Sequence, residues 1–315
     1  MKKSKFLFFI LFLLVLVFSS FCLSMSIDET NRTIVDKNKS NYHLQVRIQY
    51  EINVNNEDIL EPSIEARLFD SNEHQKINNY TWNLLINENN YSSSKYSTFY
   101  FYESKTGKWD FENLNRKSSI LLDLKFEIDT NNTYQNTLPL DKNNKYELYL
   151  VPSGGIESND PKIIELSKKI TEGYVTDVDK VKALYKYVSE IDYIEDIEGR
   201  GSALKCLQRG AGDCDNKAFL LCALLRAQDI PARPVFGFIH GEEIAHTWVE
   251  VYLGQWTNID PTNKHLFYLP ARYVKLASGN GYYDIVTVYY KTDSNDEDEI
   301  EIKDLKFEII EINSN

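Results

Sequence analysis

Cysteine is scarce in this chain, with only four among 315 residues, at positions 22, 206, 214 and 222. So few exclude a disulfide framework as the basis of the fold. Spaced ligand motifs such as Cys-x-x-Cys and His-Glu-x-x-His are missing too, so no metal or other cofactor is expected. A zinc site drawn from Cys214, His240 and His246 is the weaker alternative. Basic charge is also in short supply. The 35 lysines and arginines against 47 acidic residues leave a net charge of -12, which removes the general attraction to phosphate on which nucleic-acid binding relies. Apolar material is plentiful by contrast, at 43% apolar and 13% aromatic, enough for packed cores, and the length favours two domains.

Residues 1–25 read as an export segment. Lys2, Lys3 and Lys5 precede an unbroken apolar run from Phe6 to Phe18, followed by Ser19, Ser20, Phe21, Cys22 and Leu23. With lysines on one side and Asp28 and Glu29 on the other, the N-terminus is expected in the cytoplasm and the remainder outside. As a helix, Phe6 to Leu23 would span roughly 27 Å, close to the thickness of a hydrocarbon core. The segment therefore reads either as a cleaved signal peptide or as a membrane anchor, and the body as secreted or held at the cell surface. Lipid attachment at Cys22 ranks below both, because Phe21 is bulky. Residues 26–41 form a polar linker. Sequons begin at Asn31, Asn38, Asn79, Asn90 and Asn131, a number that an asparagine-rich chain produces by chance.

From Tyr42 a period of two sets in. Leu44, Val46, Ile48, Tyr50, Ile52 and Val54 alternate with polar residues, as in a half-buried strand. Further strands are predicted over 63–69, 80–86, 97–102, 120–128 and 145–151, joined by Asn-, Asp- and Ser-rich connections, which together describe a β-sandwich domain over 42–157. The aromatic residues from Tyr96 to Tyr102 are assigned to core and cross-strand pairs rather than to a sugar-stacking face. Pro152, Gly154, Gly155 and Pro161 mark a boundary. Beyond it Ile163, Ile164, Leu166 and Ile170, then Val178, Val181, Leu184, Tyr185 and Val188, follow helical spacing, with Thr176 or Asp177 as N-cap of the second helix. A third helix is predicted over 218–227 and strands over 233–239, 247–252, 256–259 and 283–290. Helices followed by an antiparallel sheet give an α+β domain over 158–292. Residues 293–315 supply an acidic turn and a last strand whose partner the sequence does not fix.

The chemistry concentrates between Gly212 and Thr262. Cys214 stands just ahead of the helical run that starts at Ala218, where unsatisfied N–H groups and the helix dipole favour thiolate over thiol. His246 opens the strand-like His-Thr-Trp-Val-Glu-Val-Tyr, and Asp260 closes Trp-Thr-Asn-Ile-Asp before Pro261. A thiolate, an imidazole that gives its proton to a leaving amine, and a carboxylate that fixes the imidazole tautomer make a set for acyl transfer through a thioester. Gln208 is a weaker candidate as a side-chain donor to the oxyanion. Arg226, Arg233 and Trp248 read as architectural.

These residues carry a family resemblance. Gly-Asp-Cys-Asp, Ala-Leu-Leu-Arg-Ala, Ile-Pro-Ala-Arg, His-Thr-Trp-Val-Glu-Val-Tyr and Trp-Thr-Asn-Ile-Asp-Pro-Thr, in that order over roughly 162–262, resemble the transglutaminase-like superfamily. The resemblance implies a papain-like cysteine-proteinase fold and a Cys-His-Asp triad at Cys214, His246 and Asp260. Asp229 departs from the glycine the family usually has before Ile-Pro, and a left-handed backbone there is tolerable for aspartate. The resemblance also implies a cysteine peptidase or amidase acting on a protein, peptide or cell-wall polymer. Transamidation to an amine acceptor is the alternative from the same thioester, and a surface-binding scaffold the alternative without catalysis.

Overall fold

The computed structural model describes residues 36, 38–55, 59–91, 95–101, 103–115, 117–136, 144–195, 201–281, 285–291 and 300–312. The export segment expected over 1–25, most of the linker and the acidic turn at 293–299 lie outside the described residues.

The first strands are β1 (Asn41–Val54), β2 (Leu60–Arg67), β3 (Gln75–Ile86), β4 (Asn89–Asn90), β5 (Lys95–Phe101), β6 (Ser104–Asp110), β7 (Ser119–Asn131) and β8 (Thr133–Tyr134). After a 3-10 turn at Asn144–Tyr149 come α1 (Pro161–Thr171), α2 (Asp177–Ser189), β9 (Asp192–Tyr193), α3 (Ala203–Arg209), β10 (Ala211–Gly212) and α4 (Cys214–Arg226). Then follow β11 (Ala232–Ile239), β12 (Ala245–Tyr252), β13 (Trp256–Asp260), β14 (His265–Leu266), β15 (Tyr268–Leu269), β16 (Tyr273–Ser278), β17 (Val286–Lys291) and β18 (Ile300–Glu311).

Two sheets make the expected sandwich, one ordered β18-β1-β7-β3-β4 and the other β17-β2-β6-β5. The alternation in β1 is what drives the first sheet. Leu44, Val46, Ile48, Tyr50, Ile52 and Val54 are all buried, and the first five face Ile128, Phe126, Leu124, Leu122 and Ile120 of β7 in register. Strand order corrects the sequence-based boundaries. The strand expected within the α+β domain over 283–290 is β17, which pairs with β2, while β18 pairs along the length of β1. The α+β body is therefore an insertion between strands of the sandwich. The strand expected over 145–151 is instead the 3-10 turn. The turn is kinked at Tyr146, and the rings of Tyr146 and Tyr149 both meet Trp256, at 5.3 and 5.2 Å.

In the inserted body a five-stranded antiparallel sheet, β14-β13-β12-β11-β16, carries α4 on one face. Each helix start is fixed by a short polar side chain: Asp160 caps α1, Thr176 caps α2, Ser202 caps α3 and Asp213 caps α4. Apart from its first residues α4 is buried all round, with Ala218 to Leu225 packed against Val249, Val251 and Ile259 of the sheet. The other face of the sheet continues the sandwich core through Phe238, Val274 and Leu276.

Polar contacts across this junction converge on β16. Gln75 exchanges hydrogen bonds with the Lys275 backbone, both at 2.8 Å, and Ser104 does the same with Ser278 at 3.0 and 2.9 Å. His74 Nε2 donates to the Tyr273 carbonyl at 2.9 Å. The sandwich thus grips the strand that lies behind the candidate site.

Candidate active site

Cys214 is the first residue of α4, and its N-cap Asp213 accepts from the Asn216 N–H at 2.9 Å. Strand β12 runs past it, so that the Thr247 N–H points at the sulfur. His246, one residue earlier on that strand, is buried and bonded through Nε2 to Asp260 Oδ2 at 2.8 Å. This leaves Nδ1 as the nitrogen free for the thiol side. The three residues singled out in sequence thus gather at the α4–β12–β13 junction.

Asp260 is fully buried and saturated with donors. Tyr273 Oη donates to Oδ2 at 2.7 Å and Asn263 Nδ2 at 3.2 Å, while Oδ1 accepts from the N–H groups of Thr262 and Asn263 at 2.8 and 3.1 Å. Burial by itself would raise the carboxyl. The hydrogen bond and charge of His246, then Tyr273 and Asn263, outweigh it and hold Asp260 well below the ordinary carboxylate range. The His246 ring is also enclosed, lying parallel to Trp248 at 6.2 Å and edge-on to Tyr273 at 5.8 Å. Gly237 sits opposite His246 in register and leaves room for the wall. A Cβ there would stand 2.2 Å from the Val274 carbonyl and 2.8 Å from the Trp248 ring.

The thiol itself differs from the expectation of a ready thiolate. Burial pushes Cys214 up well above its usual value, and the carboxylates of Asp215 and then Asp213 push the same way against the Thr247 N–H. Its hydrogen-bond acceptor is Asp215 Oδ1 at 3.9 Å, and among the described residues none joins Sγ to His246. Asp215 is held by the Thr247 hydroxyl. Burial and Asp213 raise its carboxyl to about 6, against the opposing pull of Thr247, His246 and Cys214.

Gln208 is exposed near the end of α3, and among the described residues no hydrogen bond ties it to the triad candidates. His240 lies apart, edge-on to Tyr42 at 5.2 Å. Cys206 and Cys222 are buried free thiols, each raised to about 12 chiefly by burial. Arg226 and Arg233 brace the body. Arg226 donates to the carbonyls of Ala232, Val151 and Asn280. Arg233 lies 3.9 Å over the Trp256 ring and pairs with Glu250, which Lys275 also holds at 2.5 Å. Tyr273, Asn263, Thr247 and Asp215 escaped sequence reading. Only Asp215 had a signal there, its position directly after the candidate nucleophile.

Comparisons with known proteins bear on the fold. A structure from Cytophaga hutchinsonii, described as a candidate cysteine protease, superposes with a TM-score of 0.64 at 17% identity over 88% of this chain and 93% of its own. The shared fold therefore takes in the sandwich as well as the inserted body. The periplasmic domain of TgpA from Pseudomonas aeruginosa gives a TM-score of 0.33 at 14% identity, over 71% of this chain and 88% of that one. In sequence, the uncharacterized protein ML0607 of Mycobacterium leprae (strain TN) is 32% identical over 108 residues, which is 31% of this chain. The aligned part spans 38% of that relative's length. Residues 164–261, which run from α1 to just past Asp260, match the profile of the transglutaminase-like superfamily.

Proposed function

We propose that the protein is an exported thiol-dependent acyl-transfer enzyme, a cysteine peptidase or amidase that hydrolyses an amide or isopeptide bond. The observation that carries this reading is the His246 ring, bonded through Nε2 to a saturated buried carboxylate on a strand whose next residue, Thr247, turns its N–H to the Cys214 sulfur at the start of α4. His246 takes the thiol proton as Sγ forms a bond to the substrate carbonyl carbon. The oxyanion then meets the N–H groups at the start of α4. As the carbon–nitrogen bond breaks, His246 returns the proton to the leaving amine and a thioester remains. Water, losing a proton to His246, attacks the thioester; the acid departs and the thiol is restored. Asp260 keeps one tautomer throughout and stabilises the imidazolium. Export rests on the lysines and apolar run of residues 1–25.

The test uses the full chain and a peptide nitrile or acyl-thiol probe with mass-spectrometric mapping. Labelling is expected at Cys214 and is lost in His246→Ala. Labelling that ignores His246, or that favours Cys206, would instead support a non-catalytic scaffold. Adding a tagged primary amine to a glutamine peptide reaction separates the two enzyme readings. Hydrolysis is expected to exceed tag incorporation, and the reverse order assigns transamidation.

A further inference from the structure

The site contains a second carboxylate that the triad does not use. Asp215 follows the nucleophile directly, its Cβ packs against Gly201, and its Oδ1 accepts from both the Thr247 hydroxyl and the Cys214 thiol. The groups facing it are Asp213 from the cap, His246 from β12 and Tyr193 from β9, with Glu195 close to that tyrosine and Asp260 acting on the same sulfur. Among the described residues its charged neighbours are thus mostly carboxylates, offset by His246. We propose that Asp215 is a positioning residue that holds the resting Cys214 as a neutral thiol, its carboxylate taking the S–H hydrogen bond that His246 must capture before attack.

The geometry gives Asp215 two opposed effects. A negative oxygen beside the sulfur opposes a second negative charge there, yet the same oxygen favours a positive charge on His246. The sulfur donates its hydrogen bond to this carboxylate, so the effect on the thiol is the one the proposal concerns. Burial and the two neighbouring aspartates act in the same direction on the thiol. Activation then consists of turning the S–H from Asp215 Oδ1 to His246 Nδ1, a rotation about one side-chain bond that substrate binding must favour. A nucleophile held in this way reacts sparingly with adventitious electrophiles and oxidants, which attack thiolate rather than thiol.

The inference rests on the acyl-transfer reading for what Cys214 does, but its test needs no turnover. Full-length wild type and Asp215→Asn are alkylated with iodoacetamide from pH 5 to 10, and the Cys214 peptide is quantified by mass spectrometry. Asparagine keeps an acceptor for Thr247 and removes the charge. The inflection of the rate profile is expected to fall by at least about one unit in the variant. At pH 7 labelling should be about three times faster per unit of that fall, since a less basic thiolate is also a weaker nucleophile. Should Asp215→Asn fail to fold, Asp215→Ser removes the same charge with a smaller side chain and is read in the same way. An inflection that stays in place or rises overturns the proposal. Failure of the enzymatic reading is seen separately, as nitrile labelling that is indifferent to His246.

Discussion

On the sheet side of the site the carboxylate is held on both oxygens: Asp260 receives His246, Tyr273, Asn263 and Thr262, and β16 behind it is gripped by His74 and Gln75 of the sandwich. On the helix side, among the described residues, the Cys214 sulfur has one side-chain hydrogen bond, a long one to a carboxylate whose own neighbours are mostly acidic. The same functional group consequently behaves in opposite ways on the two sides of the site. Asp260 is surrounded by donors and stays charged through the whole useful pH range, whereas Asp215, beside Asp213, is raised to about 6 and titrates within it. In the proposed reaction one half is a pre-organised base that costs no reorganisation at the moment of reaction. The other, in the same proposal, is a resting nucleophile that must be moved.

The largest expected effect breaks the sheet half. Asp260→Asn keeps the shape but offers His246 an amide in place of a carboxylate, which removes the stabilisation of the imidazolium and the preference for one tautomer. A fall in kcat on the order of 10³ to 10⁴ is predicted for amide hydrolysis, with circular dichroism unchanged. If Asp260→Asn costs less than tenfold, the saturated carboxylate is bracing the strands and the division between the two halves fails.

The grip of the sandwich on β16 gives the next effect, on stability. His74 is buried, and that burial holds its ring at about 4, below the ordinary 6.5, only partly countered by the Tyr273 carbonyl. The folded state therefore keeps His74 neutral while the unfolded chain takes up a proton below pH 6.5. Stability present above that pH is lost as pH falls from 6.5 toward 4, by about 3 kcal/mol for this group. His74→Gln retains a donor for the carbonyl without the titration. Urea midpoints at pH 7 should favour the wild type, and the advantage should shrink by that amount at pH 4. Curves that run parallel across the range would falsify the assignment.

Much of this was legible in the sequence, for reasons that also explain the rest. Cys214, His246 and Asp260 could be picked out because each sits in a short stretch whose local form is strongly determined: a helix start, an alternating strand and a strand stopped by Pro261. The thiol's condition could not be read in that way. The helix dipole is a local property, but the burial and the orientation of Asp215 depend on how β12 packs over α4. Likewise β18 reads plainly as a strand from Ile300, Ile302 and Phe307, yet nothing in its pattern says that it returns across the whole inserted body to pair with β1. The 3-10 turn at Asn144–Tyr149 has the local pattern of a strand, because its two tyrosines answer to Trp256, more than a hundred residues away.

The smallest effect concerns the turn that joins the two halves. Between the end of α4 and β11, Asp229 takes a left-handed backbone, φ 57°, with its N–H on the Arg226 carbonyl at 3.0 Å. Aspartate tolerates that conformation better than most residues but less well than glycine, which meets no Cβ penalty. Asp229→Gly should therefore be neutral or raise stability by up to about 1 kcal/mol, since glycine's extra freedom in the unfolded chain offsets part of the gain. Asp229→Ala, with a Cβ and no side-chain acceptor, should lower it by about 1 kcal/mol. Neither change touches a donor to Asp260 or a neighbour of Cys214, so kcat should hold steady in both. A drop in kcat without a loss of stability would mean that the turn sets the spacing between nucleophile and base, and that the helix half is held more tightly than its single contact to Asp215 implies.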